Sequence, residues 1–305
     1  MSRGVYILAI GNPTYAQWAV NLAASVKYYS PLLHITLLHD GKKVVEDFIF
    51  DELVQINLCD YTDKKGMFQP GKAKLNLYKY FKHDENLFID ADSICINELE
   101  SVFDKCKDIN VGLQVYNIAT SKETWKCMWA TYDQLNEFYK VSGEVPEINS
   151  SIIYSKKNKE AAKFWKQAAA NFIENFESLW GKRFPDELAF DAAAAKMDFG
   201  IQIPTSGDYY PVSMTCDING ERLGISRLKE VAPIMSYWGG KSGKYISHYK
   251  NYDLQANMIH KAIFGKQNPY KYDNLVKEKL VVKDGVRLNV KPQIKKYEKQ
   301  SVWGL

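Results

Sequence analysis

Residues 86–96 read Asn-Leu-Phe-Ile-Asp-Ala-Asp-Ser-Ile-Cys-Ile, and the reading of this stretch decides the fold. Residues 87–89 have the apolar character of a buried strand, which breaks off at two carboxylates separated by one small residue before apolar character resumes. In extended chain, residues i and i+2 point to the same side. Asp90 and Asp92 are therefore expected to converge, with Ala91 leaving room beside them. Two hard oxygen donors on one edge suit Mg2+ or Mn2+, which take one or two protein carboxylates and leave their other positions to water and substrate phosphates. The sharp reading is a metal-diphosphate site. A solvated turn with Asx-type bonds from Asp90 or Asp92 would leave the same letters, and ordinary composition produces an Asp-x-Asp triplet about once in a chain of this length. The flanking segments have to decide between the two.

Upstream, residues 5–10 are apolar and β-branched enough for a buried parallel strand, broken by Gly11-Asn12-Pro13-Thr14. Thr14 is placed to cap a helix whose apolar positions Trp18, Ala19, Leu22, Ala23, Val26 and Tyr29 recur at helical spacing up to Ser30-Pro31. A second strand over 35–38 ends at His39-Asp40-Gly41. Right-handed crossover sets such strands parallel, so Gly11-Asn12 and His39-Asp40 are expected along one edge of a sheet, where open α/β sheets bind ligands. A third strand over 53–56, a polar connection over 61–71 and a helix over 73–81 lead into the strand that ends at Asp90. The same rule then sets Asp90 and Asp92 beside Gly11 and Asp40.

Downstream, residues 111–115 read as a strand and the aromatic segment 125–139 as a helix, with its rings more readily explained as core than as a binding face. Residues 148–154 form a strand entered through Asn149-Ser150-Ser151, followed by an amphipathic helix over 158–176. Pro185 opens a helix over 187–196, where Asp186 and Glu187 suit the positive end of the helix dipole. Strand-like pieces at 201–203 and 234–237 precede Ser247-His248-Tyr249-Lys250, and a helix over 254–264 closes the globular part. Residues 280–288 read as a hairpin turned at Asp284-Gly285.

At 305 residues and 46% hydrophobic, the chain can bury a large core, and it has no repeat or low-complexity tract to suggest a fibre or a disordered protein. The net charge of +4 is uneven. From Lys271 onward there are nine Lys/Arg against four Asp/Glu, so the tail carries +5 and everything before it −1. We therefore divide the chain into a globular domain, 1–265, and a basic extension, 266–305, that is mainly a solvated surface, with contact to nucleic acid or an anionic membrane the lesser expectation. Cys59, Cys95, Cys106, Cys127 and Cys216 are odd in number and lack Cys-x-x-Cys spacing, which argues against a disulfide framework or structural zinc. With no signal-peptide pattern and no run of about 18 apolar residues, a cytoplasmic protein without a transmembrane segment is expected.

The ordered set of segments resembles the nucleotide-sugar glycosyltransferases of the glycogenin and lipopolysaccharide galactosyltransferase type. It comprises a strand with a small-residue exit loop, a lysine ahead of a strand ending in Asp-x-Asp, an Asn-Ser strand, a Pro-Asp-Glu helix start and a late histidine. The resemblance covers roughly residues 5–250. It implies an α/β, Rossmann-like type-A fold with a mostly parallel central sheet flanked by helices, a UDP-sugar donor, Mn2+ (or Mg2+) as the metal, and transfer with retention to an acceptor it does not specify. Carried onto this sequence, it makes Asp90, Asp92 and His248 metal ligands. It sets Ala9, Ile10, Gly11, Asn12 and Asp40 around the nucleoside, and Ala91 with the metal-bound diphosphate. Lys74 and Lys250 would lie near the diphosphate or sugar, Asn149 and Asp186 at sugar hydroxyls, and Glu187 beneath the anomeric carbon. Cleaving a sugar-diphosphate bond builds negative charge on the leaving group and positive charge on the ring, so a cation on one side and a carboxylate on the other are chemically reasonable. Two readings compete: a nucleotidyltransferase that makes nucleotide sugars, for which Gly11-Asn12-Pro13-Thr14 lacks the usual Gly-rich basic loop, and a non-catalytic nucleotide-binding protein whose basic tail meets nucleic acid.

Overall fold

The computed structural model describes residues 1–11, 13–41, 44, 46–127, 129–141, 143–174, 184–197, 212–213, 232–236, 246–269, 280–283 and 286–289. Strand β1 (Arg3–Ala9) is flanked on one side by β2 (His34–His39) and beyond it β3 (Glu52–Gln55), and on the other by β4 (Glu85–Asp90), all parallel. The sheet continues through β7 (Val145–Lys156), antiparallel to β4, to β6 (Val111–Ala119), giving the order β3-β2-β1-β4-β7-β6. Five strands run one way and only β7 reverses, so the expected mostly parallel α/β sheet is present. The chain moves outward from β1 to β3 and then returns to β1's other side. That reversal creates a crevice at the carboxyl ends of β1 and β4, the usual ligand position in such sheets.

Side-chain alternation along the strands divides the core between the two faces of the sheet. Val5, Ile7, Leu87, Ile89 and Tyr154 pack against α1 (Pro13–Tyr29), α3 (Glu100–Cys106) and the late helix. Tyr6, Leu38, Phe88 and Ile153 pack against α5 (Lys159–Ala170) and α6 (Asp186–Lys196). Helix α1 begins at Pro13, so Thr14 lies inside it instead of capping it; proline's fixed φ and missing N–H suit a first turn. A small second sheet joins β5 (Ser93–Cys95), β8 (Val212–Ser213) and β9 (Ile234–Ser236), with β5 antiparallel to β9. This sheet takes up the chain directly after Asp92.

Several elements differ from expectation, each for a local reason. The helix expected over 73–81 is instead α2 (Pro70–Lys74) and a separate 3-10 turn, Leu77–Tyr80, because the Asn76 side chain donates to the Lys72 carbonyl at 2.8 Å and closes the helix there. In the segment 125–139 only α4 (Tyr132–Tyr139) is helical, started by a Thr131–Gln134 capping box. Ahead of it, the backbone N–H groups of Lys126 and Cys127 donate to Glu147 at 2.7 and 2.5 Å, and are lost to any helix. Helix α5 stops at Ala170, where the Asn171 side chain turns to donate to the Ala189 carbonyl at 2.9 Å. The late helix α7 (Ile246–Phe264) begins eight residues before the expected start at 254, so His248 and Lys250 lie in its first two turns. Strands β10 (Leu280–Lys283) and β11 (Val286–Asn289) pair antiparallel with Lys283 opposite Val286, the hairpin expected around Asp284-Gly285. The strand expected at 201–203 lies outside the described residues.

Candidate active site

At the carboxyl edge, Leu8 of β1 stands opposite Asp90 of β4, and Ala9 opposite His39 of β2. The Gly11 N–H, in a left-handed conformation with φ +85°, donates to Asp40 Oδ2 at 2.8 Å and ties the first two loops together. Ala9, Ile10 and Asp40 are buried around this junction, and Asn12 lies outside the described residues. Asp90 ends β4, but Ala91 and Asp92 form a turn into β5, which corrects the extended Asp-x-Asp geometry. The Ala91 methyl belongs to the core between β4 and α1 and does not open a space beside the acids.

Lys74 organises the acids. Its ammonium, on a side chain only 9% exposed, reaches Asp90 Oδ1 at 2.9 Å, Asp186 Oδ2 at 3.3 Å and the Ser150 hydroxyl at 3.0 Å. The Ser150 hydroxyl in turn donates to Asp186 Oδ2 at 2.6 Å. Burial alone would lower the lysine's pKa, but Asp186 and then Asp90 outweigh it and hold the ammonium charged. Lys74, expected at the donor's sugar or diphosphate, thus has three partners within the protein.

One glycine makes this meeting feasible. A Cβ on Gly71, one turn before Lys74, would lie 3.0 Å from the Phe184 carbonyl oxygen and 3.4 Å from the Asp186 nitrogen. Glycine therefore lets α2 approach the start of α6 closely enough for the ammonium to reach Asp186. We expect Gly71→Ala to cost about 1–3 kcal/mol, because backbone atoms on both sides must move; urea unfolding measures it, and a loss below about 0.5 kcal/mol would show that the contact relaxes freely.

The remaining acids are electrostatically crowded. Burial, and then Asp90, pushes the Asp92 carboxyl up to about 7. Burial, and then Asp186, pushes Glu187 up to about 8. Asp90 is also raised, by burial, against the pull of Lys74. Such a set accommodates added positive charge, and hard carboxylate oxygens suit Mn2+ or Mg2+, so the residues present fit a divalent ion. Among the described residues, no three His, Cys, Asp or Glu side chains converge as a complete metal-holding group. For His248 and Lys250 the backbone places them in the first two turns of α7. One turn beyond His248, buried Tyr252 feels the charge of Asp92, and this helix packs against α1, which brings it to the same edge.

Asn149 sits beside the cluster, its side-chain oxygen accepting from the Ser151 N–H at 2.9 Å. Sequence reasoning missed Ser150 as a partner of Lys74 and Asp186, and it also missed Asp191, Glu147 and Tyr116. Asp191 had a readable signal, a single acid in an Ala/Phe run four residues after Glu187. It is fully buried, accepts from the Ile148 N–H at 2.9 Å, and burial raises its pKa well above the usual carboxylate range. Tyr116 is the unpaired residue of a β-bulge, since Val115 faces Ile148 while Asn117 faces Glu147, and it is more than half exposed.

A buried carboxyl with a raised pKa favours the protonated native state, so its contribution to stability falls as pH rises above the unfolded value of about 3.9. Asp191→Asn removes that loss while an amide oxygen can still accept from Ile148. The variant is expected to melt higher than wild type at pH 8, with the difference shrinking toward pH 4. A melting-temperature series would contradict this if the difference were constant or reversed.

No protein-family model matches the chain, and no curated protein matches it in sequence. Solved structures do match. The mixed sheet, its helical layers and the crevice at β1 and β4 are those of the type-A glycosyltransferase fold. In particular, the chain is similar to the galactosyltransferase LgtC solved with donor and acceptor sugar analogues, at TM-score 0.54 and 11% identity over 83% of this chain and 95% of that one. An active-site glutamine-to-glutamate variant of LgtC gives TM-score 0.53, 11% identity and the same coverage. The apo structure of the bifunctional glycosyltransferase WbbM gives TM-score 0.55 and 10% identity over 87% of this chain but only 52% of that larger one.

Proposed function

We propose that the chain is a glycosyltransferase that moves a sugar from a nucleotide-sugar donor, UDP-linked, to a sugar-bearing acceptor with retention of configuration. The observation that carries this reading is the meeting of Asp90, Lys74, Ser150 and Asp186 at the carboxyl edge of β4, beside Asp92 and Glu187. The fold it shares with LgtC and WbbM supports the reaction class. Free Cys59, Cys95, Cys106 and Cys127 suit a reducing compartment, and no helix among the described residues is long and apolar enough to cross a membrane.

Asp90 and Asp92, with His248, would hold Mn2+ or Mg2+. When bound, that ion supplies positive charge to the departing diphosphate. The chain's own groups do the remaining work. Lys74 and Ser150 hold the Asp186 carboxylate by its Oδ2 and fix its rotation, an acceptor that suits sugar hydroxyls. The Asp40 and Gly11 loops border the nucleoside. Glu187, whose carboxyl burial and then Asp186 push up to about 8, ionises more readily when positive charge lies beside it, and an oxocarbenium-like sugar ring brings such charge. The glycosidic bond to the diphosphate breaks with its electron pair leaving on UDP, and the acceptor hydroxyl oxygen forms the new bond as its proton passes to the departing diphosphate oxygen.

A thermal-shift panel of nucleoside diphosphates and their sugars, with and without Mn2+, tests the proposal, because specific binding stabilises by mass action. UDP and at least one UDP-sugar are expected to raise the melting temperature only with Mn2+ present. Equal response to all nucleotides, or none to UDP with Mn2+, would count against it.

A further inference from the structure

The register between β6 and β7 breaks at the active site. One step along β6, from Leu113 to Gln114, answers to the step from Ile153 back to Asn149 along β7, so residues 150–152 have no counterpart on β6. This excess brings two adjacent serines beside two acids that share one lysine, an arrangement that regular strand alternation would forbid because neighbours point to opposite faces. Ser150 donates to Asp186 at 2.6 Å. The antiparallel pairing of β4 with β7 sets Ile89 opposite Ile152, so the next step along each strand brings Ser151 beside Asp90. The Asn149 side-chain oxygen accepts from the Ser151 N–H at 2.9 Å, which ties the two residues across Ser150. Lys74 bridges the same two acids from the other side.

We propose that Ser150 and Ser151 are a pair of positioning residues, Ser150 setting Asp186 for the donor sugar and Ser151 setting Asp90 for the divalent ion. The inference rests on the glycosyltransferase reading above and deepens it. Lys74 alone does not fix either carboxylate, because an ammonium is a rotatable point charge. A hydroxyl donor supplies the direction that the ammonium lacks. Partners of this kind around a ligating carboxylate commonly change affinity by 10–100-fold when removed. Separate duties for the two serines follow from their separate acids.

The test uses the full chain and reads binding as well as turnover. Free Mn2+ measured by electron paramagnetic resonance should show about tenfold weaker uptake by Ser151→Ala, with Ser151→Thr close to wild type. For Ser150→Ala, titration with UDP, UDP-glucose and UDP-galactose in saturating Mn2+ should leave UDP affinity unchanged. It should also lower by about tenfold the advantage of whichever UDP-sugar wild type prefers, and Ser150→Thr should restore it. A purely structural role would shift melting temperature and move UDP and UDP-sugar together. Wild-type Mn2+ uptake with both alanine variants unaltered, or with each variant damaging both ligands equally, overturns this inference alone. Wild type that takes up neither Mn2+ nor UDP removes the parent reading and this one with it.

Discussion

Replacing Lys74 with methionine is expected to destabilise the protein by about 3 kcal/mol. Breaking a buried ion pair from one side typically costs about 3–5 kcal/mol, because the remaining charge is left in protein without a counter-charge. Here two carboxylates lose their shared partner at once. The lower end of the range applies because Asp90 keeps 31% of its side-chain exposure and can recruit water. Methionine keeps most of the volume and apolar stem, so the loss reports charge more than packing. Urea unfolding should show a lower midpoint at unchanged slope, and a second substitution, Asp186→Asn, should recover part of the loss because it removes one of the stranded charges. A single-variant loss below about 1 kcal/mol would mean that the ammonium is not the hub of the cluster.

Asp92→Asn is expected to lower Mn2+-dependent release of UDP from a UDP-sugar by at least about 100-fold, the order seen when a preorganised charge partner is removed from an active site. The substitution keeps size and shape but deletes the anionic oxygen. It also relieves the burial of charge and the Asp90 repulsion that push Asp92 up to about 7, so the variant should be no less stable than wild type at pH 8. Lost turnover with retained or improved stability separates a ligand role from a structural one. Turnover unchanged by the substitution would remove Asp92 from the metal assignment.

Much of the sheet was legible because its cause is local. An apolar, strand-length run that ends at Gly11, at His39-Asp40 or at Asp90 marks a buried strand and its exit loop, and parallel pairing then brings those loops to one edge. The convergence of Asp90 with Asp186 was legible only through the resemblance, since the two are far apart in sequence. What stayed hidden depends on long-range geometry. Lys74's destination follows from the close approach that Gly71 permits between α2 and α6. The partners of Ser150 and Ser151 follow from a register break that leaves no periodic mark in the letters. Glu147 gave no warning that its buried carboxylate would take the N–H groups of Lys126 and Cys127 and keep the Trp125 segment out of a helix. The turn at Ala91-Asp92 arises because the chain leaves the main sheet for β5, which the apolar run on both sides conceals.

The most direct measurement is anomalous scattering at the manganese absorption edge from crystals grown with Mn2+ and UDP. The account predicts a single strong peak in contact with carboxylate oxygens of Asp90 and Asp92 and with the His248 imidazole, with diphosphate density on its open side. A peak held by other residues, or UDP bound in that crevice with no peak at the two aspartates, would contradict it.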